Sequence, residues 1–168
     1  GFPSRYPALW DEFRRKAVDA VVRDISRAAR AARPRCVVSA AVIRDLGRGR
    51  KVFFQDSPTW IRSGWIDHVL PMNYETSHAR FEELARKDMA RAGKGHLILG
   101  LGVHLMDGSA DLRRQVGIAR ALKSPGYSLF AYSSFFATTS HASTKGQLAE
   151  RNREALRSEL IQLNRRRR

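Results

Sequence analysis

The sequence predicts an α/β fold of consecutive strand–helix units with parallel strands, and three observations predict it. Four short apolar segments begin near Val37, Ile66, Leu97 and Tyr127, at separations of 29, 31 and 30 residues. A stretch with helical spacing lies between each pair, as a parallel strand and its crossover require. The first segment, 36-CVVSAAVI-43, is β-branched and continuous without alternation, the pattern of a strand buried on both faces.

Each element follows in turn. Residues 9–32 read as a helix, because Trp10, Phe13, Ala17, Val21, Ile25, Ala28 and Ala32 recur at three- and four-residue steps and share one face. Pro34 stops it. A loop rich in Gly and Arg, 44-RDLGRGRK-51, follows the first strand. A short helix starts with Ser57 as its cap and Pro58 at the first position, and closes at Gly64. The second strand is 66-IDHVLPMNY-74, and the next helix, 78–92, carries Phe81, Leu84, Ala85 and Met89 on one side. After 96-HLILGLGVHL-105, a helix from Ser109 buries Leu112, Val116, Ala119 and Leu122. Pro125-Gly126 leads into 127-YSLFAYSS-134. Thr144 and Gln147 have the spacing of a capping box, and the helix they open buries Leu148, Leu156, Leu160 and Leu163.

Eight units of this period would give about 240 residues, close to the ~250 of a (β/α)8 TIM barrel. The chain therefore reads as four consecutive β/α units, a half barrel, with parallel strands near 36–43, 66–74, 96–104 and 127–134. Residues 1–140 are expected to form that unit, and 141–168 a terminal amphipathic helix with a basic tail. No G-x-G-x-x-G or P-loop follows the first strand, which argues against a nucleotide site.

Composition narrows the classes. The 168 residues are 43% apolar and 28% charged, enough to bury a core. The apolar runs fall short of the ~20 residues of a membrane helix, and the start, 1-GFPSRYPALW-10, has no signal-peptide pattern. A single cysteine, Cys36, excludes an internal disulfide framework and reads as an inert buried thiol. The five histidines show no metal-ligand spacing, so neither a metal nor another cofactor is expected. The net charge of +15 suggests a polyanion, yet 25 of the 31 basic residues are Arg, a ratio that compositional bias also produces. The basic residues gather in 33–52 and 141–168, whereas 53–95 is balanced at six of each sign. Nucleic acid is therefore not the expected partner.

The second and third strands carry a resemblance. The stretch 53-FFQDSPTWIRSGWIDHVLPMNYET-76, preceded by 10-WDEFRRKAVDAVVRDI-25 and 33-RPRCVVSAAV-42, resembles the glycosyl-hydrolase-like family 10 domain, a group of bacterial barrel proteins. The later pieces 97-LILGLGVH-104 and 126-GYSLFAYSS-134 resemble that family's last two barrel strands. The likeness spans residues 5–136 in order and spacing. It implies the C-terminal half of the family's domain. The acidic motif that ends the family's fourth strand has no counterpart in residues 1–36, where only 4-SRYP-7 matches its end and lacks the aspartate. It also implies a secreted, periplasmic or lipoprotein-anchored protein, a compartment the residues themselves leave open.

Glycoside hydrolysis uses two carboxyl groups, and in such barrels they sit at the carboxyl ends of strands. Glu75 is the acid best placed by that rule, against the alternative of a solvated loop carboxylate. Asn73, Tyr74, His104, Tyr132 and Ser133 are the other rim residues, supplying the amide, phenol, imidazole and hydroxyl groups that read sugar hydroxyls. For the two tyrosines the rival reading is core packing with a satisfied hydroxyl. Asp67, at a strand start, is expected to be structural. Asp56 is expected to interact with the helix that follows it, and 100-GLG-102 to let backbone approach a ligand. The expectation is a glycoside-hydrolase-like protein whose ligand is a carbohydrate, such as a cell-envelope glycan. It would be incomplete as a catalyst alone, and its partner would be a missing N-terminal half barrel or a second copy. The rivals are a non-catalytic carbohydrate-binding remnant and a basic polyanion-binding protein acting through the 44–51 loop.

Overall fold

The computed structural model describes residues 1–93, 95–136 and 152–165. In chain order its elements are a short α1 (Phe2–Arg5), the long α2 (Pro7–Ala32), β1 (Ser39–Ile43), α3 (Leu46–Val52), α4 (Ser57–Arg62), β2 (His68–Met72), α5 (His78–Ala92), β3 (Leu99–Gly102), α6 (Ser109–Ala121), β4 (Tyr127–Phe130) and α7 (Arg153–Arg165). Single 3-10 turns, Val103–Leu105 and Tyr132–Ser134, follow β3 and β4. Thr144, Gln147, Leu148, His141 and residues 166–168 lie outside the described residues.

The strands pair in parallel. β1 runs beside β2 from Ser39 opposite His68 to Ile43 opposite Met72, and β3 beside β4 from Leu99 opposite Tyr127 to Gly102 opposite Phe130. These two small sheets meet at one parallel bridge between Val69 and Leu97. There Val69 N–H donates to His96 O at 2.8 Å, and Ile98 N–H donates to Val69 O at 3.0 Å. The ladder stops one step later because Pro71, the next residue of β2 facing β3, has no N–H to give. Four parallel strands thus stand in sequence order, in a mixed α/β arrangement.

One face of this strand array holds the core. Val42, Val69, Leu97, Leu99 and Leu101 are buried against Trp60 of α4, Phe81 and Ala85 of α5, Leu112 and Val116 of α6, and Leu156 of α7. Among the described residues no helix covers the opposite face. Ser39 and Ala41 are exposed there, His68, Leu70 and Met72 are half-buried, and Phe130 is 52% exposed. β1 is therefore not buried on both faces as its unbroken apolar run implies. Cys36, just before it, is half-buried for the same reason.

Helix α2 differs from its sequence reading by a rotation. Phe13, Val21 and Ile25 of the apolar stripe are exposed, while Val18, Val22 and Ser26 face the core. Two polar tethers fix that rotation. Asp19 Oδ1 accepts from Trp60 Nε1 at 2.5 Å, and Arg30 Nη2 donates to Asp67 Oδ2 at 3.0 Å. Asp67 also accepts from Val38 N–H at 2.7 Å, so it fastens α2 and β1 at the start of β2, a structural role.

Local chemistry explains the other boundaries. The segment 44–51 contains a helix rather than a loop, because Asp45 caps α3 by accepting from Gly47 N–H and Arg48 N–H. Asp56, not Ser57, is the residue ahead of α4, and its carboxylate accepts from Arg50 Nε at 2.8 Å instead of from the helix end. α5 occupies the expected 78–92, with Ser77 as its cap. β3 and β4 stop at Gly102 and Phe130, short of the expected 104 and 134, where the 3-10 turns begin. α7 packs along α6 and buries Leu156 and Leu163 in the common core.

Candidate functional site

Parallel strands bring all their carboxyl ends to one edge, so Arg44 after β1, Asn73–Glu75 after β2, His104 after β3 and Ala131 after β4 share a rim. Three rings from three segments meet there. Tyr74 stacks on Phe130 at 5.4 Å between centroids and 22° between planes. His104 stands edge-on to both, 5.6 Å from Tyr74 and 5.3 Å from Phe130. This offset and edge-to-face packing is the arrangement aromatic quadrupoles favour.

Glycine makes the cluster possible. A Cβ at Gly102 would come within 2.8 Å of Tyr74 Cβ, and one at Gly100 within 2.5 Å of the Pro71 carbonyl oxygen. The two glycines of 100-GLG-102 thus admit β2 and the Tyr74 side chain. That close approach, within the fold itself, is their visible use.

The polar groups have defined partners. His104 Nδ1 lies 3.2 Å from the Phe130 carbonyl oxygen, which can only accept, so Nδ1 carries the donated proton. In the neutral ring Nε2 is then an acceptor. Burial pushes the Tyr74 phenol above its usual range, so the hydroxyl keeps its proton and can both donate and accept. Glu75 forms an ion pair with Arg44, Nη1 to Oε1 at 2.6 Å. Arg44 Nη1 also donates to the Tyr74 carbonyl at 3.1 Å, and Gln115 Nε2 of α6 to the Glu75 carbonyl at 2.7 Å. The turn bearing Tyr74 and Glu75 is therefore held from β1 on one side and α6 on the other.

The expected site residues divide into three groups. Tyr74 and His104 touch, and Glu75 follows Tyr74 in the chain under the grip of Arg44. Asn73 is turned into the helix side, buried, with Nδ2 donating to the Phe81 carbonyl at 3.0 Å, where it ties β2 to α5. Tyr132 and Ser133 sit in the 3-10 turn after the cis Phe130–Ala131 peptide bond, and both are exposed. Tyr132 stacks on Phe136 at 4.5 Å, and Arg157 lies over Phe136 at 5.0 Å.

Four residues escape the sequence reading. Arg44 is hidden in a run of charges, and only its place directly after a strand distinguishes it. Phe130 reads as an ordinary strand residue, although its register opposite Gly102 puts it on the face of Tyr74. His78 Nε2 and Asp111 Oδ1, at the starts of α5 and α6, lie 3.1 Å apart, a pair no linear spacing announces. Asp111 Oδ2 also accepts from Asp107 N–H. Among the described residues no group of three or more His, Cys, Asp or Glu is placed to hold a metal ion, and no helix is long and apolar enough to cross a membrane.

The model of one protein family, described as glycosyl hydrolase-like 10, matches residues 1–158. No curated protein matches the chain.

Proposed function

The chain belongs to the glycosyl hydrolase-like 10 family, and from that premise we propose that its rim binds a carbohydrate, such as a cell-envelope glycan. The observation that carries this reading is the Tyr74–Phe130–His104 cluster beside the Arg44-held Glu75. A sugar ring offers an apolar face and a belt of hydroxyls. Phe130, half-exposed, offers a flat apolar surface, while the Tyr74 hydroxyl and His104 Nε2 offer a donor and acceptors. Tyr132 and Ser133, exposed on the next turn, extend the same rim as further contacts. Asn73 serves by holding the base of the turn.

Glu75 is the carboxylate of the reaction in this reading. Held by a guanidinium, it suits the nucleophile or base of the carboxyl pair rather than its proton donor. The second carboxyl belongs to further β/α units. The face of the strand array that no described helix covers, and the edge of β1 that no described strand pairs, support a (β/α)8 barrel of which this chain is half. Along that edge the last amide, Ile43 N–H, donates to a side chain, Gln55 Oε1 at 3.0 Å. Those units come from a preceding half barrel or a second copy.

Calorimetric titration with soluble cell-wall glycan fragments tests the reading. Binding by the 168-residue chain that is lost in Tyr74→Ala and weakened in Glu75→Gln is the expected result, together with no hydrolysis by this chain alone. Failure of every glycan tested to bind, or binding indifferent to Tyr74→Ala, overturns it.

A further inference from the structure

Behind the Arg44–Glu75 pair lies a second carboxylate that the binding surface does not use. Asp88 of α5 is buried, and its two oxygens reach across to the turn between β1 and α3. Oδ2 accepts from Asp45 N–H at 3.2 Å, and Oδ1 from Leu46 N–H at 2.8 Å. The first of these amides belongs to the peptide group joining Arg44 to Asp45. Asp88 therefore fixes the plane from which the Arg44 side chain departs. Asp45 needs such support, because it sits in the left-handed region at φ 57°, where a side chain is strained. Its own carboxylate is occupied with Gly47 and Arg48 N–H, and Arg91 approaches it at 3.4 Å.

We propose that Asp88 is a positioning residue, which clamps the β1–α3 turn from α5 so that Arg44 holds Glu75 and the Tyr74 carbonyl in place. This rests on the reading of Glu75 and Tyr74 as the working part of the rim. The chain of contacts runs from the Asp88 carboxylate to two successive peptide groups, from there to the Arg44 guanidinium, and so to the turn that follows β2. Apart from the Arg44 side chain itself, every link is a hydrogen bond or an ion pair within 3.2 Å.

The clamp carries a pH signature. Burial raises the Asp88 carboxyl to about 6, with Asp45 adding to the rise, while the amides of Leu46 and Asp45 and the charge of Arg91 oppose it. Opening the turn would return Asp88 to water and to an ordinary carboxyl. Deprotonation therefore favours opening, and the clamp is tighter below that pH than above it.

Nuclear magnetic resonance of the full chain between pH 4.5 and 8 tests this without any sugar. The Asp45 and Leu46 amide signals and the Arg44 Nε–H signal are expected to move together in one step near pH 6. Asp88→Asn, which keeps one of the two acceptor oxygens and loses the titration, is expected to abolish the step at all three. The wild-type titration needs no variant, so a misfolded Asp88→Asn leaves the test standing. An Arg44 signal that ignores the step in the Asp45 and Leu46 amides, or a step that persists in Asp88→Asn, overturns the clamp. A glycan that fails to bind a chain with the step intact counts against the carbohydrate reading alone.

Discussion

The two faces of the strand array were made by the same four segments, yet they differ in everything that sets stability. On the helix-covered face the side chains of Val69, Leu97, Leu99 and Leu101 have no solvent exposure at all. On the bare face two positions are glycine, two are the small and exposed Ser39 and Ala41, and the largest ring, Phe130, is half in water. Burial of apolar area stabilises by roughly 25 cal/mol per Å², so the covered face holds the fold together. The bare face contributes little of that and carries the rings and polar groups of the rim. The difference teaches that substitutions should separate cleanly by face: those on one side unfold the chain, and those on the other change what it binds.

Four experiments sharpen or break that separation. The largest effect is expected from Phe81→Ala, which empties the centre of the covered face. Truncating a buried Phe costs about 3–5 kcal/mol, read as a lowered midpoint in urea. Next comes the pH dependence of stability contributed by Asp88. Its carboxyl stands at about 6 in the fold against ~3.9 in an unfolded chain. Its contribution is full below about pH 4 and is lost as pH rises through 6. The unfolding free energy from urea titrations should fall as pH rises from below about 4 to 7, by up to about 3 kcal/mol in all, and Asp88→Asn should flatten that slope. Asn73→Ala, which removes the bond that ties the end of β2 to the Phe81 carbonyl, should cost about 1 kcal/mol while leaving the rings in place. On the bare side of α2, Phe13→Ser should change stability by no more than about 0.5 kcal/mol, because Phe13 is 59% exposed. A large loss there would show that the stripe is covered in solution.

What the sequence made legible follows the same division. The parallel strands at a 30-residue beat, the span of α5 and the start of α6 could be read because periodicity and caps are local. The Asp67 latch could be placed at a strand start for the same reason. The rotation of α2 could not be read, since two faces of that helix are apolar enough to bury. The choice was made by Asp19 meeting Trp60 and Arg30 meeting Asp67, contacts 41 and 37 residues apart. The face of β1 was equally hidden, because a β-branched run states that a strand forms and not how many neighbours it has. At the rim, the period placed Tyr74, Glu75 and His104 at strand ends. It could not pair Tyr74 with Phe130, which needs the register of β3 against β4 and the room left by Gly102. Asn73 turns inward with Val69 and Pro71, as the alternation of side chains along a strand places it, although its neighbour Tyr74 stands on the other face.

The most direct test of the central claim, that the rim on the bare face is the carbohydrate-binding surface, is a titration of the isotopically labelled chain with soluble cell-wall glycan fragments, followed by nuclear magnetic resonance. The account predicts shifts concentrated at Tyr74, Glu75, Gly102, His104 and Phe130, fading toward the helix-covered face and absent at Phe81 and Leu101. Shifts confined to the basic stretch Arg48–Phe53, or no shift at the ring cluster at saturating glycan, would contradict it.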